Sequence, residues 1–144
     1  MLLDLLDKAL MPLRCVFCGA RTSSAERHIC GACHDDLPWL RSPPPPRAST
    51  LVAEIAPLAY EFPVDAVIKA LKFRRRLVYA PALAQLLCGA CERLPRDIDA
   101  VLAVPLHWRR RWLRGFNQAE ELGAPVARQL GAPLISNVRR RRAT

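Results

Sequence analysis

Apolar positions in this chain recur at two different spacings, with a run of prolines between the first block and the rest. Leu2, Leu3, Leu5, Leu6 and Leu10 fall at helical spacing among Asp4, Asp7 and Lys8, which predicts a short amphipathic helix ending before Pro12. Residues 51–60 read as a strand interrupted near Pro57. Pro63 then stands at the first turn of a helix whose apolar face is Val64, Val67, Ile68 and Leu71. Residues 79–94 predict a second helix. Residues 100–104 form a continuous apolar run between Asp99 and Pro105, the pattern of a strand buried on both faces. Residues 117–130 predict a further helix, with Gly123 and Pro125 expected to delay its regular start to Pro125. Residues 133–136 read as another short strand. The order after the prolines is strand, helix, helix, strand, loop, helix, strand, an α/β pattern with crossovers.

The prolines at 43–46 favour an extended polyproline conformation with no ladder partners. They divide the chain into a cysteine-bearing module with its short helix at 1–40, a semi-rigid linker at 41–50 and an α/β domain at 51–144. A chain of 144 residues, 51% hydrophobic, has material for one small core and a satellite module. No apolar stretch approaches the roughly 20 residues that cross a bilayer. The apolar segment Met1 to Met11 carries Asp4 and Asp7, lacks a basic start and leads into cysteines rather than the small-residue cleavage site of a signal peptide, so a cytoplasmic location is expected. Thiols stay reduced there, and six cysteines then point to metal rather than disulfides.

Cys15-Val-Phe-Cys18 and Cys30-Gly-Ala-Cys33, with eleven residues between them, have the spacing of a structural zinc site. Each pair aims two thiolates at one centre, and two pairs complete the tetrahedron that zinc prefers. Gly19 and Gly31, each following a cysteine, suit the unusual backbone angles of such turns. His28 and His34 flank the second pair and read as surface residues. Metal binding would supply the folding free energy that a 20-residue module cannot draw from a core. Cys88-Gly-Ala-Cys91 repeats the spacing without a second pair, and a half-site cannot close a tetrahedron; it reads as two small apolar residues on a helix face.

The net charge of +9 is uneven: from residue 107 onward there are nine arginines against Glu120 and Glu121. Such a field attracts polyanions, either nucleic acid or phosphorylated small molecules. Its focus is the stretch from 103 to 118, which leaves the strand at 100–104 and enters the next helix. Ligands of open α/β sheets bind beyond strand carboxyl ends, and His107, Arg109, Arg110, Arg111, Arg114, Asn117 and Gln118 place polar and cationic groups there, with Gly115 allowing a close turn. Phosphate or pyrophosphate fits this rim. So does single-stranded DNA, with Trp108 and Trp112 as stacking surfaces. The alternative is a basic surface loop whose Trp108, Trp112 and Phe116 dock on the core.

The double Cys-x-x-Cys head, the Leu71-Lys72-Phe73 segment, and Val104-Pro-Leu-His107 leading to Arg114-Gly-Phe-Asn-Gln118 together resemble the ComF family of competence proteins. The resemblance covers essentially the whole chain. It implies a partial type I phosphoribosyltransferase-like parallel sheet with an N-terminal zinc module, a role in DNA uptake and transformation, and competence machinery as partner. It also implies that 105–118 lies where such folds meet pyrophosphate, and that arginines 139–142 precede the family's later motifs. Those motifs, an Asp-Asp strand end and a Thr-Thr-Gly loop holding phosphoribosyl pyrophosphate, are not found in these 144 residues. Phosphoribosyl pyrophosphate is therefore expected to bind only in a complete protein, the chain as given is expected to be inactive, and no catalytic residue is assigned. Two readings stay open: the N-terminal part of a phosphoribosyltransferase-type competence protein, or a non-catalytic zinc- and arginine-rich module for single-stranded DNA.

Overall fold

The computed structural model describes residues 14–23, 28–41, 51, 54–92, 94, 97–136 and 138. The expected helix at 2–10, the prolines at 43–46 and the arginines at 139–142 lie outside the described residues. The architecture is a mixture of helices with a small parallel sheet and a cysteine-bearing head. Helix α1 (Gly31–Asp35) belongs to the head; α2 (Val64–Arg74), a single 3-10 turn (Leu77–Tyr79), α3 (Ala80–Cys91), β1 (Val101–Leu102), α4 (Trp108–Arg114), α5 (Gln118–Leu130) and β2 (Leu134–Ile135) follow.

Two helices form the centre because their apolar residues share one face. Val64, Val67 and Leu71 of α2 are buried, as are Ala82, Leu83, Ala84 and Leu86 of α3. Pro81 sits in the first turn of α3, where its missing N–H costs nothing. Helix α5 packs along α3. Helix α2 ends at Arg75, a non-glycine residue at φ 53. Its guanidinium donates to the carbonyl of Leu113 at the end of α4, tying two basic segments together across 38 residues of sequence.

The strands pair in parallel, Val101 with Leu134 and Leu102 with Ile135. Gly123 of α5 lies against the first of these pairs, and a Cβ there would stand 3.3 Å from Leu134 Cδ1 and 3.8 Å from Val101 Cγ1. Alternation puts Leu102 and Ile135 on the opposite face, where they are exposed. The run at 100–104 is thus covered on one face, not on both as its composition suggests. Val104 is exposed as well, while Ala103 is buried.

Three other expectations are corrected. Among the described residues, 51–60 contribute no regular strand. Leu58 makes one isolated antiparallel bridge to Trp39, supported by Leu40 N–H to Pro57 O at 2.9 Å and Ala59 N–H to Pro38 O at 2.8 Å. Pro57 has no N–H to extend that ladder. Helix α5 starts at Gln118 rather than at Pro125, which it contains. Asn117 caps the helix early, and the hydrogen bond lost at Pro125 falls on the carbonyl of exposed Glu121. Gly31 needs no positive φ, because it opens α1; only Gly19 of the head's pair does, at φ 75.

Candidate metal centre and basic rim

The head is built by short backbone ties around its cysteines. Cys15 N–H donates to Ala20 O at 2.8 Å and Gly19 N–H to Cys15 O at 2.9 Å, which curls the first Cys-x-x-Cys into a knuckle. Val16 N–H reaches His28 O at 3.0 Å and brings in the second pair, whose Cys30 caps α1 and whose Cys33 lies within it. The sulfurs of Cys15, Cys18, Cys30 and Cys33 all lie within 4.8 Å of one another, with Cys18 and Cys30 3.7 Å apart. Bonds of about 2.3 Å to a tetrahedral zinc ion separate sulfurs by about 3.8 Å, so this donor set fits the ion. Neither His28 nor His34 joins the cluster. His34 instead stacks on Trp39, ring centroids 4.8 Å apart, and its carbonyl accepts from Trp39 Nε1 at 2.8 Å.

Four thiols this close cannot all ionise without a compensating cation. Burial opposes ionisation of Cys15, but the backbone amides of Cys18, Cys30 and Phe17 outweigh it and bring the thiol down to about 6. Cys33 is pushed far up, by burial and then by the neighbouring sulfurs of Cys18, Cys30 and Cys15. At Cys30 the amide of Cys33 favours the thiolate, yet desolvation and the surrounding sulfurs win and the thiol is raised. The cluster thus holds one easy charge and resists the next, the electrostatic condition that a divalent cation relieves.

The head is not set apart from the helices. Cys15, Ile29 and Leu37 share a core with Val64 of α2 and Ala82 and Leu86 of α3, with Phe17, Cys30 and Cys33 packed against it. Phe17 and Ile68 also touch the neighbouring cluster of Val67, Leu71, Ala80 and Leu83, against which Phe116 and Leu122 pack as well. Cys88 is half-buried and Cys91 buried on α3, both thiols raised by desolvation, and no third donor joins them among the described residues.

The second predicted site takes a different form from the expected loop: residues 108–114 are helical. Arg109, Arg110 and Arg111 are exposed on α4, and Trp108 and Trp112 are 66% and 82% exposed, so they do not dock on the core. Phe116 does. Gly115 closes α4 at φ 80, its N–H bonded to Arg111 O at 2.8 Å, a conformation that a Cβ would strain. Arg109 lies 5.2 Å from the Trp108 ring, and His107 stacks obliquely on the same ring at 5.7 Å. Arg111 pairs with Glu120 at 2.7 Å. Arg114 donates to Gln118 Oε1 at 3.0 Å and sits 5.4 Å over Phe73.

Asn117 turns inward. It is 1% exposed; its Oδ1 accepts from Ala119 N–H at 3.1 Å, while Nδ2 donates to Val104 O at 3.3 Å and to Glu120 Oε1 at 3.2 Å. One side chain therefore caps α5, holds the end of the strand and meets the carboxylate that restrains Arg111. Lys72 and Phe73 of α2 also reach this rim, lining a hollow with Leu106, Arg110, Leu113, Arg114 and Gln118. Nothing in the spacing of 72 and 110 along the chain signals that meeting.

Residues 6–57 match the family model of the double zinc ribbon domain. The DNA utilization protein YhgH of Shigella flexneri and that of Escherichia coli (strain K12) are each 35% identical to the chain over 144 residues, an alignment covering 90% of this chain and 61% of the relative. Competence protein F of Haemophilus influenzae is 28% identical over 132 residues, covering 88% of this chain and 52% of its own length. The chain spans about three fifths of the first of these relatives. No solved structure matches it. Among the described residues no helix is long and apolar enough to cross a membrane. The head thus matches a double zinc ribbon, and over most of its length the chain is similar to DNA utilization and competence proteins.

Proposed function

We propose that the chain acts in DNA uptake and utilization, as the names of its relatives suggest, and that α4 is the surface that meets nucleic acid phosphates. The observation that carries this is the outward presentation of Arg109, Arg110, Trp108 and Trp112 on one short helix just beyond the end of β1. Guanidinium groups neutralise phosphates, and exposed indoles stack on bases whatever the sequence, so single-stranded DNA is the polyanion this surface suits. His107, Gly115 and Asn117 shape the rim, and Gln118 steadies Arg114. The four head cysteines hold one zinc ion in a closed four-sulfur site, whose role is structural. The proline segment at 41–50 joins the module at 1–40 to the domain at 51–144.

A phosphoribosyltransferase-like core is the second reading. It is supported by the parallel pairing of β1 and β2 across a helical crossover, with the basic rim beyond the carboxyl end of β1. In that reading the rim meets pyrophosphate in a protein that carries the full phosphoribosyl pyrophosphate site.

Titration of a labelled single-stranded oligonucleotide at several salt concentrations tests the first reading. Each phosphate contact contributes roughly 0.7 of a unit to the logarithmic salt slope, so Arg109→Ala, Arg110→Ala and Arg111→Ala together remove up to about two units. An unchanged slope means α4 is not the DNA surface and returns it to the pyrophosphate role.

A further inference from the structure

The hollow between α2 and α4, about 490 Å³ in volume, is lined by Lys72, Phe73, Leu106, Arg110, Leu113, Arg114 and Gln118. Three of these seven side chains are cations and none is a carboxylate. The size falls in the range of sites for small organic ligands. Two basic segments distant in sequence meet here, and the contact from Arg75 to the Leu113 carbonyl fixes their approach. Arg114 is already immobilised, half-buried between the Phe73 ring and Gln118 Oε1, so little side-chain freedom remains to be lost when it binds an anion. Lys72 is also half-buried and lines the hollow.

Resting on the DNA reading above, we propose that Lys72, Arg110 and Arg114 form a pocket for a phosphomonoester, with Phe73 as its aromatic wall. Charge selects the monoester. A phosphodiester within a strand carries one negative charge, whereas a monoester carries about −1.5 to −2 near neutral pH and offers three terminal oxygens. Three cations converging on one hollow match the second better than the first. Arginine can grip two phosphate oxygens at once, and lysine adds a point charge between them. The monoester has two sources, the phosphorylated end of a DNA strand or a free phosphorylated small molecule.

The experiment compares one oligonucleotide bearing a 5′-phosphate with the same oligonucleotide ending in a hydroxyl, and titrates inorganic phosphate alone by calorimetry. The expected result is tighter binding of the phosphorylated strand, on the order of fivefold at low salt. Lys72→Met, which keeps the aliphatic stem, should abolish that preference, and a helical spectrum unchanged from wild type shows that it folds. Equal binding of the two strands by wild-type protein, with no saturable heat from inorganic phosphate, overturns the pocket and leaves the DNA reading standing. Saturable phosphate binding that Lys72→Met removes, with neither strand bound, supports the pocket, assigns it to a small molecule and overturns the DNA reading. A preference that survives Lys72→Met overturns the proposal.

Discussion

The cysteine head and the basic rim both gather chemically active side chains, and they do so in opposite ways. In the head, four residues from two short loops point their sulfurs at one centre, and Cys15 is 3% exposed in a core shared with α2 and α3. In the rim, Arg109, Arg110 and Arg111 spread over an exposed helix, and order comes from a few polar ties, Asn117 and Glu120 above all. Convergence of like groups creates a demand for a countercharge at one point, which suits a metal ion. Dispersion of like charges over a surface creates a field, which suits a polyanion. The two regions are also linked: Phe17 of the first knuckle and Phe116 of the rim pack on the same cluster around Leu71.

Removing the head's convergence should have the largest effect. Cys15→Ser, or chelation, is expected to lose the one bound zinc, a contribution on the order of 10 kcal/mol in apparent binding free energy for such sites. Because Cys15 lies in the shared core, hydrogen exchange should show loss of protection in the buried faces of α2 and α3. Cys18→Ser, at an exposed position, should lose zinc equally while disturbing those helices less. Equal disturbance by both variants would show that the loss of zinc itself, and not the buried position of Cys15, is what reaches the helices. The metal-free head should also have a distinctive pH response. Cys15 ionises near 6 when folded against the usual 9.0, so stability rises with pH through that window. Cys33 is shifted the other way, so above 9.0 the folded state retains a proton that the unfolded chain has lost, and stability falls. A metal-free melting temperature still climbing well above pH 9 would contradict this pattern, whereas the zinc-loaded protein should lack the alkaline decline.

Much of this arrangement could be read from the chain. The spacing of Cys15, Cys18, Cys30 and Cys33 is local and chemically restrictive, so it identified a cluster that the structure draws within reach of one ion. Helical periodicity located α2 and α3, and the short apolar runs located β1 and β2. What escaped depends on tertiary contacts. Burial on both faces of β1 could not be judged from composition, since Leu102 is as apolar as Val101 and faces the other way. Pro125 suggests a boundary, as a lone proline usually does, but a cap eight residues upstream and packing on α3 hold the helix together through it. Lys72 and Phe73 entered only as part of a family resemblance, and their meeting with Arg114 across a fold crossing has no signature in sequence.

On the rim, Asn117→Ala should have the next largest effect. It deletes the α5 cap and leaves the Val104 carbonyl without its side-chain donor, together about 2 kcal/mol of stability. The variant is expected to retain zinc fully, because the hydrogen bonds of Asn117 go to Val104, Glu120 and Ala119 of the rim, and to weaken oligonucleotide binding through a displaced Glu120 and Arg111. Asn117→Asp separates the two functions: it keeps an acceptor for Ala119 N–H but loses the donor and sets a negative charge beside Glu120. Thermal melts in which Asn117→Asp matches wild type would show that the cap alone matters and that the tie to the strand end does not.

The smallest effect offers the most direct comparison of the regions, because each contains a glycine under the same constraint. Gly19 in the head has φ 75 and Gly115 in the rim φ 80, and a Cβ added at either finds no atom within 4 Å. Steric crowding is therefore absent at both, and only the left-handed backbone is penalised, by about 1 kcal/mol for alanine. If the head is ordered by its metal, Gly19→Ala should express that strain mainly as weaker zinc, about fivefold in a competition with a chromophoric chelator. Gly115→Ala has no metal to report through. Its strain should appear as a slightly lower melting temperature with zinc affinity unchanged, and with oligonucleotide affinity altered by less than about twofold, since the arginines precede the strained residue and remain helical. A Gly115→Ala variant that weakened zinc as much as Gly19→Ala would mean that strain passes from the rim through Phe116 and Phe17 to the knuckle, and that the two regions behave as one cooperative unit.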